Sequence, residues 1–290
     1  MLQFGVRTCS MNAQVKSNQL NGHDKFSLFR WIILISILTL GLLPAVTGPL
    51  ALVVYLLPAI FVFMHGSRFL GRKNILIFFV VTYIVTFTAE YLGVNTGRIF
   101  GEYYYNSIGN GPLLGGVPVL LMLTYFSLAY GSYMVVRIIL GWLNVIKGWR
   151  ILATSLLGGM IMTLSDLAND PINSTIDQVY IWTKGGIFFG VPYQNFTGWL
   201  AETFILLLVI SIIFAYITRS PKLHNIPTRK FLAEPIILFI APIVPVILNP
   251  LWSTKPAYII QPMSLIALFG LGTVSLFAFI KVLSLNHKIK

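Results

Sequence analysis

The chain has 290 residues, of which 57% are hydrophobic and 10% are charged, and its mean hydropathy is +0.83. Because a soluble domain carries about 25% charged residues, this composition excludes an ordinary soluble fold and is typical of a multi-pass membrane protein. The formal net charge of +12 would favour nucleic-acid partners on a soluble protein, but its distribution along this chain indicates lipid headgroups instead and no nucleic-acid binding.

Apolar runs that approach the length of a membrane span recur along the chain. A span needs about 20 mostly apolar residues, and the runs predict helices at residues 31–46, 49–65, 74–93, 117–137, 151–169, 199–218, 232–249 and 259–283. The first two runs are short and adjoin at Thr47 and Gly48, so they also fit a helical hairpin that does not cross fully. We predict an all-α, polytopic integral membrane helical bundle with about seven or eight transmembrane helices.

The predicted spans divide the chain into three parts. Residues 1–28 are a polar, basic tail without the apolar core of a signal peptide, and we predict that they are disordered. Residues 29–285 form a single transmembrane domain whose two functional outer loops are 94–116 and 170–198. Residues 286–290 form a short C-terminal tail.

The basic residues predict the orientation in the membrane. All lysines and arginines except Arg98, Lys184 and Lys255 fall on the same side as the N-terminus. Cytoplasmic segments are enriched in lysine and arginine, so we predict a multi-pass protein of the cell membrane with both termini cytoplasmic. The lipid bilayer is then the partner of the basic residues.

Carboxylates are rare in this chain, and their positions are informative because ionisable groups in a membrane span are costly and often functional. Asp24 lies in the tail and Glu234 at the inner start of the seventh span. The others lie at the outer ends of predicted spans or in the outer loops: Glu90, Glu102, Asp166, Asp170, Asp177 and Glu202. We interpret Glu102 and Asp177 as loop residues, and we predict that the third helix ends on Glu90.

Asp166 and Asp170 are the most suggestive pair. They are four residues apart, which puts them on the same face of a helix, and Pro171 is predicted to end that helix. Two like charges on one face repel, so we expect a protonated acid beside an ionised one, an arrangement suited to acid chemistry. Asn169 adds an amide to the same rim.

The two outer loops have similar sequences. Each has a carboxylate that closes a helix, an aromatic cluster and a Gly-Val-Pro that we expect to open the next helix, where proline is tolerated. An internal duplication would explain the similarity, and so would two turns that independently acquired similar sequences. In either case we expect the loops to converge on one site. An interfacial aromatic belt explains part of the aromatic content, but aromatic faces beside acids can also stabilise a cation. The aromatic residues are Tyr103, Tyr104, Tyr105, Tyr180, Trp182, Phe188, Phe189, Phe196 and Trp199.

The sequence lacks the motifs of metal-dependent, nucleotide-dependent and serine-hydrolase chemistry. No histidine pair has metal-ligand spacing, and we find no nucleotide-binding loop or hydrolase elbow. The sequence therefore predicts no metal site.

Three motifs carry a resemblance to a known family. E-x-x-G-x-x-T-G-x-x-F-G-x-Y-x-Y at 90–105, D-x-x-x-D-P at 166–171 and F-G-V-P-x-x-N-F-x-G-W at 189–199 resemble the membrane carotenoid end-group hydratases, the family of bisanhydrobacterioruberin hydratase and γ-carotene hydratase. The resemblance covers roughly residues 75–215. It implies a hydro-lyase of carotenoid biosynthesis that adds water to the terminal isopropylidene double bond of an acyclic carotenoid and needs no cofactor. The implied partners are that carotenoid, water, and possible neighbours among other membrane enzymes of the pathway.

The chemistry of hydration suggests roles for the acids. A carboxylic acid protonates the less substituted carbon, water captures the tertiary cation, and a second carboxylate or an amide orients that water. We expect Asp166 or Asp170 to be the acid, with Glu90 as the main rival, and Glu202 and Asn195 to hold water. The other predicted substrate-binding residues are Thr96, Tyr103, Tyr105, Asn169, Tyr180, Trp182 and Trp199.

Two other functions stay open at this point. A membrane prenyltransferase or elongase would explain aspartates four apart, but the outer loops have only Arg98 and Lys184 to meet a diphosphate, and no aspartate-rich motif repeats. A proton-coupled transporter would explain acids in spans and a proline-rich seventh span, but the acids lie near one face of the membrane.

Overall fold

A computed structural model describes residues 26–43, 49–106, 110–218 and 227–285. Residues 1–25 of the predicted N-terminal tail and the whole predicted tail 286–290 lie outside the described residues.

Helices make up most of the described chain. In chain order they are α1 (Ser27–Gly41), α2 (Pro49–Phe69), α3 (Arg72–Thr96), α4 (Leu121–Ile139), α5 (Trp149–Asp170), α6 (Tyr193–Ile212), α7 (Arg229–Ile240), α8 (Val244–Leu248), α9 (Ala257–Ile266) and α10 (Thr273–Ser284). Wider π-helical turns extend α5 through Pro171–Ile176, extend α6 through Ile213–Ile217, and join α9 to α10 through Ala267–Gly272. A 3₁₀ turn, Asn249–Leu251, follows α8.

The prediction of an all-α membrane bundle is confirmed. Six helical stretches within the described residues are long and apolar enough to cross a membrane, and α7 with α8 adds a seventh if this pair, bent by 56°, is one broken span. The remaining apolar helix, α1, has 15 residues, fewer than the about 20 that a full span needs. Many large apolar side chains on these helices are exposed, as expected of surfaces that face lipid.

Four short strands lie in the loops between helices. β1 (Tyr103–Tyr105) pairs antiparallel with β4 (Tyr180–Trp182), with Tyr103 opposite Trp182. β2 (Leu113–Leu114) pairs with β3 (Val117–Pro118). The β1–β4 ladder joins the loop after α3 to the loop after α5, so the prediction that these loops converge is confirmed.

Three predicted helix boundaries are wrong. Helix α3 continues past Glu90 to Thr96, because a helix can extend beyond the apolar run that begins it. It ends at Gly97, which has a left-handed backbone (φ 67°) and donates its N–H to the carbonyl of Gly93. Pro171 does not end its helix, since the backbone widens there into a π-helical turn. The first Gly-Val-Pro forms β3 rather than a first helical turn, and α4 begins at Leu121.

A buried ion pair fixes α1 against α7. Arg30 donates from Nε to Glu234 at 2.6 Å and from Nη2 at 3.1 Å, and both side chains are almost fully buried. Glu234, which the sequence placed at the start of the seventh span, therefore lies inside the bundle. A buried charge is tolerated when it is paired in this way, so the pair ties α1, which is too short for a full span, to the bundle.

Candidate active site

The carboxylate of Glu90 lies inside the bundle and is held by tyrosine hydroxyls. Glu90 is 3% exposed. Its Oε2 accepts hydrogen bonds from Tyr103 at 2.5 Å and Tyr105 at 2.8 Å, and its Oε1 accepts one from Tyr125 on α4. Tyr103 and Tyr105 reach the same carboxylate because alternate residues of a strand share a face. Both oxygens of Glu90 are therefore satisfied by neutral donors.

Two glycines of the sequence motifs let the first loop fold back onto the helices. A Cβ at Gly93 would lie 2.9 Å from the hydroxyl of Tyr103, and a Cβ at Gly198 would lie 2.5 Å from the carbonyl oxygen of Ile99. A side chain at either position would push the loop away. These glycines thus allow the close packing that brings Tyr103 to Glu90.

The second acidic cluster is a pair of aspartates that share one amide. Asp166 and Asp170 lie one turn apart on α5, and both are buried. The Nδ2 of Asn195, on α6, donates to Oδ2 of Asp166 at 2.7 Å and to Oδ2 of Asp170 at 2.6 Å. Tyr180 donates its hydroxyl to Oδ1 of Asp170 at 2.5 Å. Asp170 thus uses both oxygens, whereas no hydrogen bond from any described residue reaches Oδ1 of Asp166.

Aromatic rings pack between and beside the two acidic clusters. The rings of Tyr103 and Trp182 are 4.8 Å apart, and those of Tyr105 and Tyr180 are 5.6 Å apart, across the β1–β4 ladder. Tyr125 stacks on Trp199 at 4.9 Å. Aromatic faces can stabilise a nearby cation, so this wall suits a reaction in which positive charge develops.

The loop tyrosines keep their protons at neutral pH and well into the alkaline range. Burial raises the pKa of Tyr103, Tyr105 and Tyr180 well above its usual value of 10.0. Nearby carboxylates raise the pKa further, with Glu90 acting on Tyr103 and Tyr105 and Asp170 acting on Tyr180. A negative neighbour disfavours the phenolate, so these hydroxyls remain hydrogen-bond donors to the carboxylates.

A cavity of about 460 Å³ brings most of the predicted site residues together. This volume is in the range of about 300–1,000 Å³ that is usual for small-molecule sites. The predicted residues that line the cavity are Glu90, Tyr103, Tyr105, Asp166, Asn169, Tyr180, Trp182, Asn195 and Trp199. The cavity therefore joins both acidic clusters and the aromatic wall.

Three of the predicted residues do not line the cavity. Asp170 is buried and accepts hydrogen bonds from Asn195 and Tyr180. Glu202 is buried on α6, and neither of its carboxyl oxygens has a hydrogen-bond partner among the described residues. Thr96 is exposed at the end of α3, where its hydroxyl donates to the carbonyl of Leu92 at 2.5 Å.

Other residues at the site were missed from the sequence. Tyr125 contacts Glu90 from the middle of an apolar run, and nothing in that run distinguishes it. Asn110 and Asn173 also line the cavity. Asn110 ties the two loops by donating to the carbonyls of Asn106 at 2.6 Å and Val179 at 2.7 Å. Its position as an amide close to the aromatic cluster of the first loop is the sequence signal that could have identified it.

The two acids interpreted as loop residues form exposed ion pairs. Glu102 pairs with Lys184 at 2.6 Å, and Asp177 pairs with Lys255 at 2.7 Å. Both pairs link segments that are distant in sequence and lie outside the cavity. Across the described residues, no group of three or more His, Cys, Asp or Glu side chains is arranged to hold a metal ion.

Comparisons with known proteins agree with the motifs. The sequence model of a family described as "Carotenoid biosynthesis protein" matches residues 50–272. The chain is 30% identical over 159 residues to a bisanhydrobacterioruberin hydratase from Haloarcula japonica. This alignment covers 54% of the chain and 50% of the relative, so the chain matches about half the length of that curated protein. No solved structure matches the chain.

Proposed function

The chain belongs to the carotenoid biosynthesis protein family, and on this premise we propose that it hydrates the terminal isopropylidene double bond of an acyclic carotenoid to a tertiary alcohol. The substrate class is a carotenoid with at least one acyclic end, like bisanhydrobacterioruberin, lycopene or γ-carotene. The observation that carries the proposal is Asp166, which lines an aromatic-walled cavity and whose Oδ1 receives no hydrogen bond from the described residues. The relative's name supports the reaction class.

Asp166 is the acid in this proposal. Among the described residues, Asp170 accepts side-chain hydrogen bonds from Tyr180 and Asn195, while Asp166 accepts one, from Asn195. Hydrogen bonds donated to a carboxylate favour its ionised form, and two adjacent carboxyls avoid being ionised together. The proton of the pair therefore belongs on Asp166, which lines the cavity. Asp170, Tyr180 and Asn195 hold that acid in place.

The reaction proceeds by protonation and capture. Asp166 gives its proton to the less substituted alkene carbon, and the π electrons form the new C–H bond and leave a tertiary cation. The oxygen of a water molecule bonds to that cation and releases a proton, which returns to the Asp166–Asp170 pair. The balance is one water added, with no oxidant and no cofactor. Asn169, which lines the cavity near Asp166, is the amide that orients the water.

Glu90 stabilises the cation rather than supplying the proton. Its two oxygens accept hydrogen bonds from Tyr103, Tyr105 and Tyr125, which suits an ionised carboxylate. A fixed negative charge aimed at a developing positive charge lowers the barrier without rearrangement. The ring faces of Trp182 and Trp199, on the cavity wall, add to this effect.

The proposed setting is the cell membrane, with both termini in the cytoplasm. The basic residues on the side of the N-terminus support this orientation. The acidic clusters would then lie near the outer membrane surface, where water can reach the cation.

The test is to express the chain in cells that make acyclic carotenoids and to analyse the pigments by mass spectrometry. A gain of one or two waters, absent from an empty-vector control and from the Asp166→Asn variant, is the expected result. Growth in ¹⁸O-labelled water should put the label in the new hydroxyl. Unchanged pigment masses with intact, membrane-inserted protein would contradict the proposal for the carotenoids tested.

The same experiment separates the alternatives. A product that is heavier by a prenyl unit and depends on Mg²⁺ and a prenyl diphosphate would indicate a transferase. Unmodified pigment that changes its location would indicate a transporter.

A further inference from the structure

The cavity has a second part that the proposed reaction does not use. Much of its apolar lining comes from α1, α2, α4 and α7, although α2 and α4 also contribute Tyr55, Thr124, Tyr125 and Ser127. We call this part the apolar arm and define it by Ile37, Leu40, Val54, Leu57, Leu128 and Leu238. The carboxylates that line the cavity, Glu90 and Asp166, lie instead on α3 and α5. The apolar arm and the acidic groups thus come from different helices.

The bend between α7 and α8 lies next to the arm. Ala241 and Pro242, at this bend, also line the cavity, and the helices on either side differ in direction by 56°. Proline lacks the N–H that a straight helix requires, so a break here is expected. The end of α1 packs close to the bend, since a Cβ at Gly41 would lie 3.2 Å from Cγ of Pro245.

The arm reaches the lipid-facing surface of the bundle. Val54 lines the cavity and is nevertheless 43% exposed, and Gly41, which also lines it, is exposed as well. Leu52, two residues before Val54 on α2, is apolar and exposed too. An opening framed by apolar side chains on a membrane helix faces acyl chains rather than water.

We infer that the apolar arm holds the hydrocarbon chain of the substrate next to its reactive end, and that the substrate enters sideways from the bilayer between α1, α2 and the α7–α8 bend. This inference rests on the proposed function. The occupant is the rest of the same molecule whose end group lies at Asp166, because one continuous cavity joins the two parts. The aliphatic side chains of the arm offer a long polyene apolar contact, which matches its chemistry.

Two walls of the arm are tied to each other. The buried pair of Arg30 and Glu234 ties α1 to α7, which carry two of the walls. A preorganised groove avoids the cost of ordering its walls on binding. The arm therefore selects substrates by the presence of an extended apolar chain, while the polar part selects the end group.

The experiment compares two neighbouring substitutions on α2. Leu57→Trp fills the arm, and Leu56→Trp places the same side chain on the adjacent exposed position, which does not line the cavity. Each variant is assayed in membranes with a full-length acyclic carotenoid and with a short isoprenoid alkene that has the same isopropylidene end. Leu57→Trp should lower the rate of carotenoid hydration by about tenfold or more, which corresponds to a tenfold weaker affinity. The rate with the short alkene should stay close to that of the wild type. Leu56→Trp should change neither.

The outcomes separate this inference from the proposed function. If the wild type hydrates both substrates and Leu57→Trp reduces both equally, or reduces neither, the arm does not hold the chain. If the wild type hydrates neither substrate, the proposed reaction is wrong. The amount of carotenoid that remains bound to each purified protein then tests whether the arm holds the chain. Loss of bound polyene in Leu57→Trp but not in Leu56→Trp would support the arm, and equal retention would overturn it.

Discussion

The hydroxyl of Tyr125 on α4 donates a hydrogen bond to Oε1 of Glu90 on α3. This contact joins two neighbouring spans through a buried carboxylate and completes the set of donors around it. It also makes Tyr125 part of the candidate site, although it lies in an apolar run.

Tyr125→Phe should lower activity without unfolding the protein. The change leaves one oxygen of a buried carboxylate without its donor, at a cost of about 1–3 kcal/mol. We expect a fall in hydration rate of about tenfold to a hundredfold, since each 1.4 kcal/mol corresponds to a factor of ten. Tyr104→Phe removes the hydroxyl of an exposed tyrosine on β1 and should match the wild type. Equal hydration rates in the wild type, Tyr125→Phe and Tyr104→Phe would show that Tyr125 has no part in the site.

The two aspartates should respond differently to loss of charge. Asp166→Asn removes the proposed acid and should reduce hydration by about a hundredfold to ten-thousandfold, the usual range for general acid catalysis. Asp170→Asn should reduce it less, because Asp170 positions the acid through Asn195 and does not line the cavity. Initial rates of product formation in membranes measure both effects. Glu102→Gln, at an exposed ion pair, serves as the control, and a larger loss from Asp170→Asn than from Asp166→Asn would reverse the proposed roles.

The buried tyrosines should make stability fall at alkaline pH. The pKa of Tyr105 is raised by burial and by Glu90, so its contribution to stability is fully present below the unfolded pKa of about 10. It is lost as pH rises from there through the higher folded pKa, because only the unfolded tyrosine ionises in that window. The melting temperature of the wild type, measured between about pH 9 and pH 11, should fall more steeply than that of Tyr105→Phe. Tyr104→Phe is the matched control and should retain the wild-type slope.

Two ion pairs of equal length should differ in their contribution to stability. Arg30–Glu234 and Lys184–Glu102 both have a closest N–O distance of 2.6 Å. The side chains of the first pair are 1% exposed, and those of the second are 75% and 50% exposed. Glu234→Gln should therefore cost about 3–5 kcal/mol, and Glu102→Gln at most about 1 kcal/mol. Thermal unfolding in detergent compares the two, and equal shifts would show that burial does not govern the difference.

Much of the fold follows from composition. Apolar runs predict helices when water is absent, because a span must satisfy its own backbone hydrogen bonds. The boundaries were less predictable for the same reason, since hydropathy reports the surrounding solvent and not the backbone. Glu90 marks the end of an apolar run, but α3 continues for another turn and a half to Thr96. At Pro171 the backbone changes to a π-helical turn, which the presence of proline alone does not predict.

The acids of the site could be identified because charge in a span is rare and must have a reason. Their partners could not. The pairing of Tyr125 with Glu90 and of Asn195 with both aspartates depends on how α3, α4, α5 and α6 face one another. A helix that is apolar on all sides carries no periodic signal of which face is buried. Thr96 belongs to a sequence motif but points away from the cavity, so membership of a motif was not enough to place a side chain.

The division of the cavity has a consequence for substrates with two identical ends. If the substrate binds as proposed, with one end group at Asp166 and its chain in the apolar arm, only one end of the molecule can react in each binding event. A symmetrical carotenoid would have to leave, turn over in the bilayer and return before its second end could react. The singly hydrated molecule would then be released into the membrane as a free intermediate, where other enzymes compete for its unreacted end.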